Sequence, residues 1–217
     1  MKVFTKDLVQ QFLDVFRHKH LRYHLLAILL TYVCVATELD WWYFQRIKGD
    51  FTHVLAIPAL VLGGILPIIV PVLLLVIGKF HHRKMYFNSG VVLAQAAILG
   101  SFISSLYKAF TGRIQPDIYA VTDISHNFQF GFLRHGVFWG WPSSHTTIAF
   151  AMSVALISLF PHKRWVKWLA LFYAFYVGIG VSTGAHWFSE FLAGAIIGSI
   201  IGIAVGSYHT AKREVLI

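Results

Sequence analysis

Long apolar runs alternate along this chain with short basic or aromatic segments. A helix crossing the hydrocarbon core needs about 20 largely apolar residues. Read against that length, the pattern predicts six spans: Tyr23–Leu39, His53–Ile77, Ser89–Tyr107, Thr146–Phe160, Trp165–Val181 and Phe188–Ser207. A different period precedes them. In "VFTKDLVQQFLDVF" (Val3–Phe16), Phe4, Leu8, Phe12, Val15 and Phe16 fall on one helical face, with basic residues following. That is the pattern of a helix lying in the membrane surface, or of a cap on the bundle. The expected fold is therefore all-α: a six-transmembrane helical bundle over residues 21–217 behind an N-terminal amphipathic interfacial helix over residues 1–20. Within the last span Gly194, Gly198, Gly202 and Gly206 lie four apart, a row that lets another helix approach closely. Pro58, Pro67 and Pro71 in the second span each remove a backbone donor and predict kinks.

Composition agrees with the pattern. Hydrophobic types make up 57% of the 217 residues and charged types 12%, about half the charge of a soluble domain. The formal charge of +9 suggests nucleic acid at first sight. In a membrane protein the placement of lysine and arginine matters more, and no nucleic-acid partner is expected. Lys2, Lys6, Arg17, Lys19 and Arg22 precede the first span. "KFHHRK" follows the second, Lys163, Arg164 and Lys167 follow the fourth, and Lys212 and Arg213 follow the sixth. The opposite loops are poorer in net positive charge, "ELDWWYFQRIKGD" being net acidic. Both termini are thus expected on the cytoplasmic side. Cys34 is the single cysteine, so no intrachain disulfide can form. Met1–His20 is mixed and charged, unlike a cleaved signal peptide.

On this topology titratable groups gather at one rim. His145 lies at the outer end of the fourth span, Lys108 at that of the third, and His186 and Glu190 at the junction of the fifth and sixth. Ionisable residues near membrane depth are costly and point to function. In "HWFSE", His186 and Glu190 are i and i+4, on one face of a helix. A carboxylate holding one imidazole nitrogen fixes the tautomer and leaves the other free to attack. In "PSSH" (Pro142–His145), a helix N-terminus offers backbone N–H groups to a phosphate, and Ser143 and Ser144 add hydrogen bonds. His145 then stands ready to protonate a leaving oxygen, while Lys108 supplies fixed positive charge. The set describes phosphoryl transfer through a phosphohistidine, with no metal or other cofactor required.

At these residues the chain resembles the type 2 phosphatidic acid phosphatase (PAP2) superfamily of membrane lipid phosphatases. Its motifs are K-x6-R-P, P-S-G-H and S-R-x5-H-x3-D. The counterparts here are "KAFTGRIQP" (Lys108–Pro116), "PSSH" and "IGVSTGAHWFSE" (Ile179–Glu190). The resemblance implies His186 as nucleophile, His145 as general acid, Glu190 as orienting carboxylate, and Lys108, Ser143 and the Ser144 amide as phosphate ligands. Both motif arginines are replaced: Gln115 and Gly180 stand in their places, and Ile179 replaces the serine. Glu190 for aspartate and Ser144 for glycine are mild changes. Loss of two arginines removes bidentate, charge-assisted phosphate contacts. Arg113 and Arg134 are the candidates to substitute for them. Alternatively the substrate is a phosphodiester, which carries one negative charge, and the reaction is transfer of a lipid head group. A third reading is an inactive or lipid-binding relative. A transporter is disfavoured, because its polar groups would lie at the bilayer middle.

The loop "DISHNFQFGFLRHGVFWGW" carries six phenylalanines and tryptophans, an interfacial belt or a lid over a lipid chain. The expected substrate is amphiphilic: a phospholipid, a polyprenyl diphosphate or a lipid A phosphate. The expected location is integral to the membrane, in a bacterium the inner membrane, with the site facing the periplasm or exterior.

Overall fold

The fold was analysed in a computed structural model that describes residues 2–214, with side chains over 7–49 and 54–211. It consists of eight helices: α1 (Lys2–Val15), α2 (His18–Ala36), α3 (Leu39–Ile47), α4 (Asp50–Phe80), α5 (Lys84–Thr111), α6 (Ser144–Leu159), α7 (Arg164–Ser182) and α8 (Phe188–Glu214). Among the described residues there is no strand, only an isolated bridge between Arg113 and Phe128.

Four helices, α4, α5, α7 and α8, are long and apolar enough to cross a membrane, and α2 with α3 forms a fifth, bent pair. The sixth expected span is α6. Its 16 residues reach only about 24 Å at 1.5 Å per residue, short of the roughly 30 Å hydrocarbon core. Residues 112–143 form the long connection that leads into it.

The bundle has a centre and a periphery. Of the most apolar window of α8, 67% is buried inside the protein, against 17% for α4. α4 therefore presents most of its surface to lipid, and it runs unbroken through Pro58, Pro67 and Pro71. α8 packs most extensively on α6, and the glycine row explains how. A Cβ at Gly198 would stand 2.3 Å from the Thr147 carbonyl, one at Gly202 2.7 Å from that of Ala151, and one at Gly206 2.4 Å from the Ser158 Cβ. The close approach expected from the sequence is to α6.

One expectation changes, and the N-terminal helix takes the second of its two readings. The stretch after the first span, read as an outer loop, folds as α3 after a 70° bend. Glu38 makes the turn with φ 55°, and Phe44 then buries edge-on against Trp187 at 5.5 Å. The apolar face of α1 meets protein: Leu8, Phe12 and Phe16 pack on the core around fully buried Val15. Gln11 Nε2 donates to Gln95 Oε1 on α5 at 2.9 Å. α1 thus caps the bundle, with Val9 and Leu13 exposed on its other side. Phe4 of the expected face, and the basic Lys2, Lys6, Lys212 and Arg213, have side chains outside the described residues.

Candidate active site

The rim of the bundle where α5 ends and α6 and α8 begin brings the chemistry-bearing residues together. α5 ends on left-handed Gly112, φ 47°, where a Cβ would meet the Gln129 carbonyl at 2.8 Å. Lys108 in its last turn is buried, and its Nζ donates to the Phe138 carbonyl of the long loop at 2.9 Å. Ser143 caps α6 by accepting from the Thr146 backbone N–H and hydroxyl at 3.4 and 3.1 Å, and its own N–H donates to the Glu190 carbonyl at 3.3 Å. That last bond ties the start of α6 to the first turn of α8. Ser144 Oγ accepts from the buried Ser104 at 2.9 Å.

His186 precedes α8, and its Nδ1 contacts Glu190 Oε2 at 2.6 Å. With a proton on Nδ1 donated to the carboxylate, Nε2 carries the lone pair. The His145 ring lies 6.1 Å from the His186 ring, centroid to centroid, at 58°. Lys108 and His186 both lie within electrostatic range of His145. Gly63 on α4 backs His145: a Cβ there would stand 3.2 Å from its Cδ2 and 2.8 Å from Val177.

Behind Glu190 lies a buried network that the sequence did not disclose. Arg113 is fully buried. It donates from Nε and one terminal nitrogen to the Ser125 carbonyl at 2.9 and 2.7 Å, from the same terminal nitrogen to Asp40 Oδ2 at 2.7 Å, and from the other to Ser189 Oγ at 2.8 Å. That other nitrogen is also 3.6 Å from Glu190 Oε1. Its planar fork is further sandwiched by the rings of Phe128 and Trp187, 4.9 and 5.5 Å away. Asp40, from α3, also accepts from the Ser189 N–H at 2.8 Å and so caps α8. Arg113, a candidate phosphate ligand in the sequence, turns its donors to protein groups and stands behind Glu190. Arg134 is exposed on the loop, folded over Gly131, away from that network.

The two positions lacking arginine differ. Gln115 lies within the site. In the amide orientation that satisfies its backbone neighbours, it donates to the Ala185 carbonyl at 2.6 Å and accepts from the Gly140 N–H at 3.1 Å; its nitrogen is also 3.1 Å from His186 Nδ1, a contact without a hydrogen bond while that nitrogen donates to Glu190. Gly180 is in a helix contact instead, where a Cβ would stand 2.3 Å from that of Ala59 on α4. Asp40 and Ser189 were missed because an acid among aromatics reads as loop and a serine near a helix start reads as solvent-facing. The signal that could have found them is the i, i+4 pairing of Asp40 with Phe44, one face of a short helix.

These features define an integral membrane protein, all helical, whose two histidines and a buried carboxylate share one rim. A profile of the PAP2 superfamily matches residues 89–214, more than half of the chain, and the protein belongs to that superfamily. The fold matches the crystal structure of a transmembrane PAP2-type phosphatidylglycerolphosphate phosphatase from Bacillus subtilis, with a TM-score of 0.64 and 19% identity over 90% of this chain and 98% of that one. At that identity the likeness is one of fold. No curated protein matches the sequence.

Proposed function

We propose that the protein is a membrane lipid phosphatase that works through a phosphohistidine. The observation that carries this reading is the 2.6 Å contact of His186 Nδ1 with Glu190, beside His145. His186 Nε2 attacks phosphorus and forms a P–N bond as the P–O bond to the lipid breaks. His145 gives its proton to the leaving oxygen. His145 then takes a proton from water, which attacks phosphorus, breaks the P–N bond and releases phosphate. Lys108 has two ammonium protons beyond the one held by Phe138, and these, with Ser143 and the Ser144 amide, hold the phosphoryl oxygens. Arg134 is the remaining loop arginine that can reach a head group. The basic turns at the opposite end support cytoplasmic termini and a site on the outer face.

A second reading is lipid phosphotransfer. Neutral Gln115 and the committed Arg113 leave Lys108 as the buried cation available to substrate. That charge suits a phosphodiester better than a dianionic monoester.

The test is a substrate panel on purified protein, scoring free phosphate and head-group-transfer products together. Phosphate release should fall at least about 10³-fold in His186→Ala and about 10²–10⁴-fold in His145→Ala. Transfer products without phosphate would favour the second reading. Activity surviving in His186→Ala would defeat both.

A further inference from the structure

A cavity of about 550 Å³ has neither His145 nor His186 in its lining. It is walled by the second half of α4, the start of α5, the end of α6 and the start of α7. Since α6 and α7 run antiparallel with the catalytic rim at the other end, the cavity opens toward the α4–α5 and α6–α7 turns. Its volume is in the range of sites that hold drug-sized ligands. The lining is apolar, including Leu74, Leu93, Met152 and Leu156, apart from the exposed Tyr86 and Trp165 and four further groups.

Those four groups indicate the occupant. Ser153 is satisfied by the Ala170 carbonyl at 2.8 Å. Ser89 is buried in the wall. The Tyr173 hydroxyl is buried and has no hydrogen-bond partner, an unfavourable state that an acceptor on an occupant would relieve. Lys163 is exposed and stands at the mouth, its ammonium 5.2 Å over the Phe160 ring. The two turns around it carry Lys79, Arg83, Lys84, Lys163, Arg164 and Lys167 and no acidic residue. An apolar cavity, an unpaired donor buried in its wall and one-signed positive charge at its mouth have a common complement.

We infer that this cavity is a second lipid site, holding an acyl chain of an anionic phospholipid whose phosphate rests at Lys163. Tyr173 is the tenth residue of α7, and helical side chains lean toward the helix N-terminus, so its hydroxyl leans toward the mouth. There it donates to an ester carbonyl, the acceptor that a phospholipid places just below its phosphate. The site is distinct from the catalytic rim and does not depend on the phosphatase reading.

The experiment is native mass spectrometry of the detergent-purified protein titrated with phosphatidylglycerol or phosphatidylcholine. Wild type and His186→Ala should both retain one phosphatidylglycerol in preference to phosphatidylcholine. Lys163→Glu should weaken that retention at least about 10-fold, the loss of a charged contact. Ser89→Phe and Leu74→Trp, which fill the cavity from two walls, should weaken it as strongly, and Tyr173→Phe several-fold. Wild-type elution on size exclusion reports that each variant is folded. Equal retention of phosphatidylcholine, or retention unchanged in Lys163→Glu and in both filling variants, would overturn the inference. So would a change of oligomeric mass in the filling variants with lipid retention intact, which would give the cavity to a helix of a second copy.

Discussion

Arg113 and Gln115 lie two residues apart and make opposite predictions. Removing one partner of a buried ion pair typically costs about 3–5 kcal/mol, because the other charge is stranded. Arg113→Ala should therefore lower the unfolding transition in detergent by that order, and Asp40→Ala should do the same. A double mutant should lose less than the sum. If Arg113 instead bound phosphate, Arg113→Ala would keep wild-type stability and lose activity alone. Gln115 is half-buried beside Glu190. An arginine there would add a charge-assisted contact worth about 1.5–3 kcal/mol. Gln115→Arg should raise kcat/KM for a phosphate monoester about 10–100-fold relative to a diester. A ratio that does not move would show that charge at this position does not set the choice of substrate. The residues proposed to react were legible in the sequence because chemistry restricts their types and spacing. Asp40, Ser189 and the true partners of Arg113 were not, because their roles rest on contacts between residues 73 to 149 positions apart.

At the scale of elements, α6 and α8 are the two helices that must keep register, since one carries His145 and the other Glu190. The glycine row sets their separation, and its position along the helices decides what a substitution does. Gly194 faces Thr146 and the Ser143 carbonyl, next to the catalytic residues, whereas Gly206 faces Ser158 at the far end. Overpacking of a tight contact costs about 1–3 kcal/mol. Gly194→Ala and Gly206→Ala should both destabilise by that order, but only Gly194→Ala should lower kcat strongly at a temperature where both are folded. Equal kcat in the two would separate catalysis from this register. The row itself was readable from spacing, and so was the apolar face of α1. The length of α6 and the existence of α3 were not. Hydropathy measures apolar length, and neither a short helix sunk in the rim nor a nine-residue amphipathic one carries enough of it.

For the whole molecule, the reading that most depends on charge placement is orientation. Cys34 is buried, so single cysteines introduced elsewhere report their own accessibility. Val121, in the long loop before α6, is 92% exposed, and His82 is exposed in the α4–α5 turn. Val121→Cys should react with a membrane-impermeant maleimide in intact cells, and His82→Cys only after permeabilisation. Labelling of both without permeabilisation, or the reverse pattern, would overturn the topology. The expected orientation rests on lysine and arginine positions alone. The closure of the rim, by contrast, comes from the long loop, whose Phe138 carbonyl accepts from Lys108 Nζ and whose Ile114 carbonyl accepts from the Trp187 indole, a fit that no local pattern encodes.

The contact between Gly180 and Ala59 decides where a second cation could be engineered. A side chain added at position 180 runs into the Ala59 Cβ, so an arginine there needs α4 to move outward or a further substitution to make room. Half-buried Gln115 already holds a long side chain in the site. Positive charge can thus be offered to the rim from the loop by one substitution, while the α4–α7 seam refuses it.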